Sequence, residues 1–145
     1  IDFTDPNEPR HDIALVIEGE KLYLSKQYLS IHSPFFHAMF YGEFVEKDKK
    51  EIELEDINCK EFVKLLHAIY PPYMKITDEN FEYLLKLSDR FEIKVVIDQC
   101  EKYLISSEDF DLAEKLVLAG LYRLSDLLDH CLDQLESYQE VKDLK

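Results

Sequence analysis

The segment that most limits what this chain can fold into is Ser33-Pro34-Phe35-Phe36, together with the two short apolar runs ahead of it. Ile13-Ala14-Leu15-Val16-Ile17 is rich in β-branched residues and too short for a helix of its own, so it predicts a buried strand. Glu18-Gly19-Glu20 supplies a reversal in which Gly19 can take a positive φ. Lys21-Leu22-Tyr23-Leu24 then returns as the partner strand. Two closely spaced helices follow. Ser33 has the side-chain oxygen that caps a helix start, and Pro34 suits the first helical position, where a missing N–H costs nothing.

The pattern continues with a third strand at Glu51-Ile52-Glu53-Leu54-Glu55, whose period-two alternation turns Ile52 and Leu54 inward. Asn58 followed by Glu61 reads as a capping box, and Phe62, Leu65, Leu66 and Ile69 form one helical stripe that Pro71-Pro72 ends. Thr77 is the expected cap of the next helix, with Asp78 and Glu79 in its first turn and Phe81, Leu84, Leu85 and Ser88 on its inner face. Ile93, Val96, Ile97, Cys100 and Leu104 predict a further helix.

After a polar break at Ser106–Asp111, one helix is expected to bury Leu112, Leu116 and Ala119 and to end with Gly120 as its left-handed residue. A last helix, from Ser125, is expected to bury Leu128, Cys131, Leu132 and Leu135. Two such helices are marginal alone and are expected to pack on the Ile93–Leu104 helix. The order is α+β, with a lead-in over 1–11, a core over 12–106 and a helical extension over 107–145.

Charge narrows the partners. The formal net charge of −14 opposes the Lys and Arg contacts that hold nucleic-acid phosphates, and it disfavours an anionic membrane equally. No apolar run approaches the ~20 residues of a membrane span, and Ile1–Arg10, polar and carrying Pro6 and Pro9, does not read as a signal peptide. A chain that starts without Met is expected to be a piece of something longer. Cys59, Cys100 and Cys131 are an odd number without close spacing and fall on apolar helical faces, which points to a reducing compartment, cytosol or nucleus.

Chemistry is harder to find. His11, His32, His37, His67 and His130 include no pair one helical turn apart, and His130-Cys131 point about 100° apart on a helix. No metal site, cofactor or catalytic group is expected, and the chain does not read as an enzyme. What remains is the connector Tyr41–Glu46. Its Phe44 either anchors an interface or folds back on the core.

In their order and spacing these motifs resemble a BTB/POZ domain. Asp12 opens the apolar strand, Leu22–Leu24 returns, Lys26 through Leu29 begin the first helix, and Ser33-Pro34-Phe35-Phe36 with Met39-Phe40 make the second. Asp109–Tyr138 is similar to the helix pair that follows the core in MATH-BTB adaptors of the speckle-type POZ kind, a 3-box-like extension. The resemblance implies a small three-stranded sheet flanked by a cluster of helices, with a C-terminal helix pair. It also implies an adaptor of cullin-3 ubiquitin ligases that pairs as a homodimer and takes its ubiquitination substrate through a domain outside this chain.

By the same resemblance, Phe44-Val45-Glu46 matches the family's hydrophobic-x-Glu motif for the cullin-3 N-terminal domain, with Tyr41 beside it. Asp12 and Lys26 match a charged pocket, and Tyr28, Leu29 and Ile31 fall where such domains dimerise. Ser25 stands where most of the family has His, and Asp12 and Ser25 equally fit a strand-edge solubiliser and a plain N-cap. Ile1–Arg10 offers only Ile1 and Phe3 as apolar residues, so a swapped strand or dimerising helix is not expected there. The alternative function is a dimerising scaffold or transcriptional co-regulator module without cullin binding.

Overall fold

A computed structural model of the chain describes residues 2–42 and 49–143. Its strands are β1 (Ile13–Ile17), β2 (Glu20–Leu24) and β3 (Glu51–Leu54), and its helices are α1 (Lys26–His32), α2 (Pro34–Tyr41), α3 (Cys59–Ile69), α4 (Phe81–Arg90), α5 (Lys94–Ser106), α6 (Leu112–Tyr122) and α7 (Ser125–Asp143). The chain forms two compact units, Ile1–Ile97 and Asp98–Lys145, divided inside α5.

In the first unit the sheet order is β2-β1-β3, with β1 antiparallel to β2 and parallel to β3. The hairpin turns on Glu18 and Gly19, with φ of 52° and 78°, and Ile17 faces Glu20 across it. Both central residues at positive φ is the condition of the tight turn whose twist matches paired strands. As the central strand, β1 buries Ile13, Ala14, Leu15 and Ile17, which is why its run is apolar throughout. The edge strand β3 buries only Ile52 and Leu54, the alternation read from its sequence.

The Ser-Pro segment holds this unit together. The Ser33 hydroxyl is fully buried, accepts from the Phe36 amide at 3.0 Å and donates to the Phe91 carbonyl just beyond α4. Phe36 stacks on Phe91 at 5.1 Å and on Phe40 at 5.6 Å, and Phe62 of α3 meets Phe91 edge-on. Across the unit, the Cys59 amide at the start of α3 donates to Glu18 Oε1 at 2.6 Å, pinning the hairpin tip to a helix N-terminus. Arg90 closes the turn after β3 through the carbonyls of Glu55 and Asp56.

Several expectations need correction. The helix expected from Thr77 starts at Phe81, because the Asn80 side chain turns back to the Thr77 amide and the Lys75 carbonyl and holds residues 77–80 as a separate turn. Gly120 does not end α6. The helix runs on to Tyr122 and Arg123 takes the left-handed position at φ 57°, with the Leu124 amide bonded back to Ala119. Leu112 and Leu116 are only half-buried, and Lys115 and Ala119 face inward. In α7 the inward residues are Leu127 and Cys131, preceded by Leu124, while Leu128, Leu132 and Leu135 are exposed. Of the four residues expected inside α7 only Cys131 is buried, the covered face lying about one residue earlier in the helix.

In the second unit two buried charges tie its helices together. Glu101 Oε2 accepts from the Leu127 amide at 3.0 Å in the first turn of α7, and Lys115 Nζ donates to the Ile105 carbonyl at 3.4 Å in the last turn of α5. Each charge sits at the helix end it complements. The C-terminal pair therefore packs on α5, as the sequence indicates.

Ser33→Ala removes a cap and strands the Phe91 carbonyl in the core. It is expected to cost about 2–3 kcal/mol in urea-induced unfolding. A change under about 0.5 kcal/mol, within the range of an ordinary surface substitution, would contradict the role given to this hydroxyl.

Candidate functional site

Cysteine chemistry is closed off by burial. Cys59, Cys100 and Cys131 are all buried and unbridged. Burial, reinforced by the Glu20 carboxylate that accepts from its sulfur, pushes the Cys59 thiol up to about 11, and burial alone pushes Cys100 up to about 12. Cys131 is also raised by burial, against the opposing charge of Lys115. No cluster of His, Cys, Asp and Glu among the described residues could hold a metal ion, and no helix among them is long and apolar enough to cross a membrane.

With about one thiol in a thousand ionised at pH 8 for a pKa near 11, the native chain is expected to react negligibly with a disulfide reagent over minutes. Denaturant should then release three equivalents. A thiol that reacts at once in the native chain would contradict this.

The distinctive surface lies on α1. Ser25 caps it by accepting from the Tyr28 amide at 3.2 Å, and Asp12 Oδ1 accepts from the Lys26 amide at 2.8 Å, joining the start of β1 to the start of α1. Asp12 and Lys26 are thus brought together, with Ser25 in the capping role. Tyr28 stacks on Tyr70 at 4.2 Å and donates its hydroxyl to the Ile69 carbonyl at the end of α3. With one turn fixed this way, Leu29 faces the core at 1% exposure and leaves the surface set, whereas Ile31 projects at 71%. His32 packs on Tyr28, and partial burial lowers its pKa.

Beside Ile31 lies a pocket of about 580 Å³, walled by Arg10, His11 and Asp12 on one side and by Tyr28 and Tyr70 on another. Tyr70 is 6% exposed, its hydroxyl has no hydrogen-bond partner among the described residues, and burial pushes that hydroxyl up to about 12. The sequence reading missed Arg10, His11 and Tyr70. The signal available for Tyr70 was its position directly after the α3 stripe.

Phe3 was missed as well. It is 4% exposed, against the rings of His67 and Tyr70, and its carbonyl accepts from the Tyr23 amide at 2.7 Å. Tyr41 ends α2 half-exposed with its ring near His37. Phe44, Val45 and Glu46 lie outside the described residues.

The second unit adds an exposed apolar stripe, Leu128, Leu132 and Leu135 on α7, with Val117 and Leu121 on the outer face of α6.

A three-stranded sheet clothed in helices, with its cysteines sealed and its unusual residues gathered around α1, defines an α+β domain marked by its surface. The chain belongs to the BTB/POZ domain family, whose model matches residues 4–108. It is 46% identical over 134 residues to BTB and MATH domain-containing protein 38 of Caenorhabditis elegans, covering 92% of this chain and 35% of that protein. It is 43% identical over 143 residues to BTB and MATH domain-containing protein 36 of the same organism, covering 99% of this chain and 45% of that one.

The chain therefore spans less than half the length of these relatives. Kelch-like protein 40 of Xenopus laevis is 32% identical over 121 residues, covering 81% of this chain and 18% of that protein. The solved BTB domain of zebrafish PATZ1 superposes with a TM-score of 0.57 at 24% identity, over 67% of this chain and 77% of that one. The BTB domain of human Gigaxonin gives 0.57 at 20% identity, over 66% and 79%. Both share the fold.

Proposed function

We propose that this chain is the protein-interaction domain of a substrate adaptor for a cullin-3 ubiquitin ligase, binding the cullin-3 N-terminal domain and associating with a second copy of itself. The observation that carries the reading is Phe44-Val45-Glu46 placed directly after the Ser-Pro helix of a BTB/POZ domain. Phe44 fills an apolar pocket on the cullin helices, Val45 packs beside it, and Glu46 accepts hydrogen bonds at the rim. Tyr41, half-exposed at the end of α2, flanks them. The relatives named for a BTB and a MATH domain support an adaptor whose substrate is held by a part outside this chain.

The net charge of −14 supports protein partners over nucleic acid or an anionic membrane. Three buried cysteines that form no disulfide support work in the cytosol or nucleus. Calorimetry with purified cullin-3 N-terminal domain is expected to give a one-to-one complex. Phe44→Ala and Glu46→Ala should each weaken it at least about tenfold, that is about 1.4 kcal/mol, with the melting temperature almost unchanged. Absence of heat and of a complex on sizing would end the adaptor reading.

A second reading, a dimerising scaffold or co-regulator without cullin, is favoured by the α1 face, which needs no ligase to act. It is distinguished by self-association that persists where cullin binding is absent.

A further inference from the structure

Of the three glycines in the chain, one is hemmed in. A Cβ added at Gly19 or Gly120 meets nothing within 4 Å, whereas one at Gly42, the C-cap of α2, would overlap the Ala38 carbonyl oxygen. The overlap is with backbone, and that backbone cannot yield. The Ala38 carbonyl accepts from the Gly42 amide at 3.0 Å, and the helix that carries it is held by the buried rings of Phe36 and Phe40.

A glycine that ends a helix ordinarily supplies a positive φ. Gly42 does not, since its φ of −69° and ψ of 170° are open to any residue. What glycine supplies here is the close approach. The end of α3 gives the comparison. That helix stops at Tyr70 with the same closing bond, from the Tyr70 amide to the Leu66 carbonyl at 2.9 Å, and with an extended backbone at φ −103°. A side chain is therefore compatible with this way of ending a helix, there with the chain leaving at a different φ. At Gly42 the closing bond and the exit at φ −69° coexist because no Cβ is present.

Chain closure does not demand that exit. Residues 43–50 join Gly42 to β3, and a link of that length can be closed from many starting directions, its cost being mainly entropic.

We infer that Gly42 is a positioning residue for cullin binding: it sets the direction in which the chain leaves α2 toward Phe44-Val45-Glu46, and a side chain at 42 changes that direction. The inference rests on the cullin-binding part of the proposed function and adds the residue that aims the motif. A larger residue at 42 must either break the bond to Ala38 or turn about its own N–Cα bond until its Cβ clears the carbonyl. A turn as large as the difference between Gly42 and Tyr70 moves the next Cα, about 3.8 Å away, by about 2 Å. An apolar anchor that must fill a pocket loses its fit with a displacement of that size. The helix itself, capped by Ser33 and packed through Phe36 and Phe40, stays as it is. Tyr41 precedes the turn, so its ring remains beside His37.

Calorimetry with the purified cullin-3 N-terminal domain, on the 145-residue chain and its variants, decides the matter. Gly42→Ala is expected to raise the dissociation constant about tenfold, with the melting temperature almost unchanged. Because Gly42 acts through Phe44, the same substitution in a Phe44→Ala chain should change the constant by less than about twofold. A general loosening of α2 would not produce that coupling. Where Phe44→Ala binds too weakly to measure, Glu46→Ala takes its place in the cycle.

If Gly42→Ala binds as the wild type does, or loses the same factor in both backgrounds, the inference is overturned and the adaptor reading stands. If Gly42→Ala melts more than about 5 °C below the wild type, Gly42 serves the fold and the inference is again overturned. If the wild type gives no complex, the adaptor reading fails and the inference falls with it.

Discussion

The buried Ser33 hydroxyl is the joint on which the rest of the first unit depends. It closes the first turn of α2 by accepting from Phe36, and it uses its own proton on the carbonyl of Phe91, 58 residues away in sequence. That single donor and acceptor fixes where α2 begins and where the chain after α4 must pass. Phe36 can then stack between Phe40 and Phe91, and Phe62 of α3 closes against Phe91. The long-range bond is what makes the aromatic cluster a core and not a collection of rings. Burying a hydroxyl without both bonds would cost more than the cap returns, so the site tolerates little besides Ser.

Much of this was legible in the sequence because it is local. The hairpin needed only a β-branched run and a glycine, and the N-caps at Ser33, Asn58 and Ser25 needed only a short polar side chain at the right offset. Less legible were features decided by partners distant in sequence. The phase of α7 was misjudged because Leu124, Leu127, Leu128, Cys131, Leu132 and Leu135 form a stripe wider than the face that is covered. Periodicity alone cannot say which edge is inside. Lys115 and Glu101 were invisible for the same reason, since charged residues face inward only where a helix end awaits them. Arg123 in the left-handed region defied the glycine rule, which is a preference and not a requirement.

Phe3 carries the same lesson at the surface. A lone aromatic among Asp, Pro and Asn reads as solvent-exposed tail, and nothing in its neighbourhood signals a docking place between His67 and Tyr70. Once it is docked, a segment without secondary structure becomes part of the wall around the α1 pocket. Leu29 and Ile31, read together as one interface, are separated by the helix itself. Two residues apart on a helix means opposite sides, with one holding α1 to the core and the other leaving it free to meet a partner. A BTB/POZ domain with its thiols sealed in the core acts, in this account, through what α1 and the connector after α2 present.

The most direct test of that account is amide hydrogen exchange of the 145-residue chain followed across a wide range of protein concentration. The account predicts that protection rises with concentration over α1, while β3 and α6 are unaffected. Protection that does not change with concentration at α1, or that rises only on α6 or α7, would contradict it.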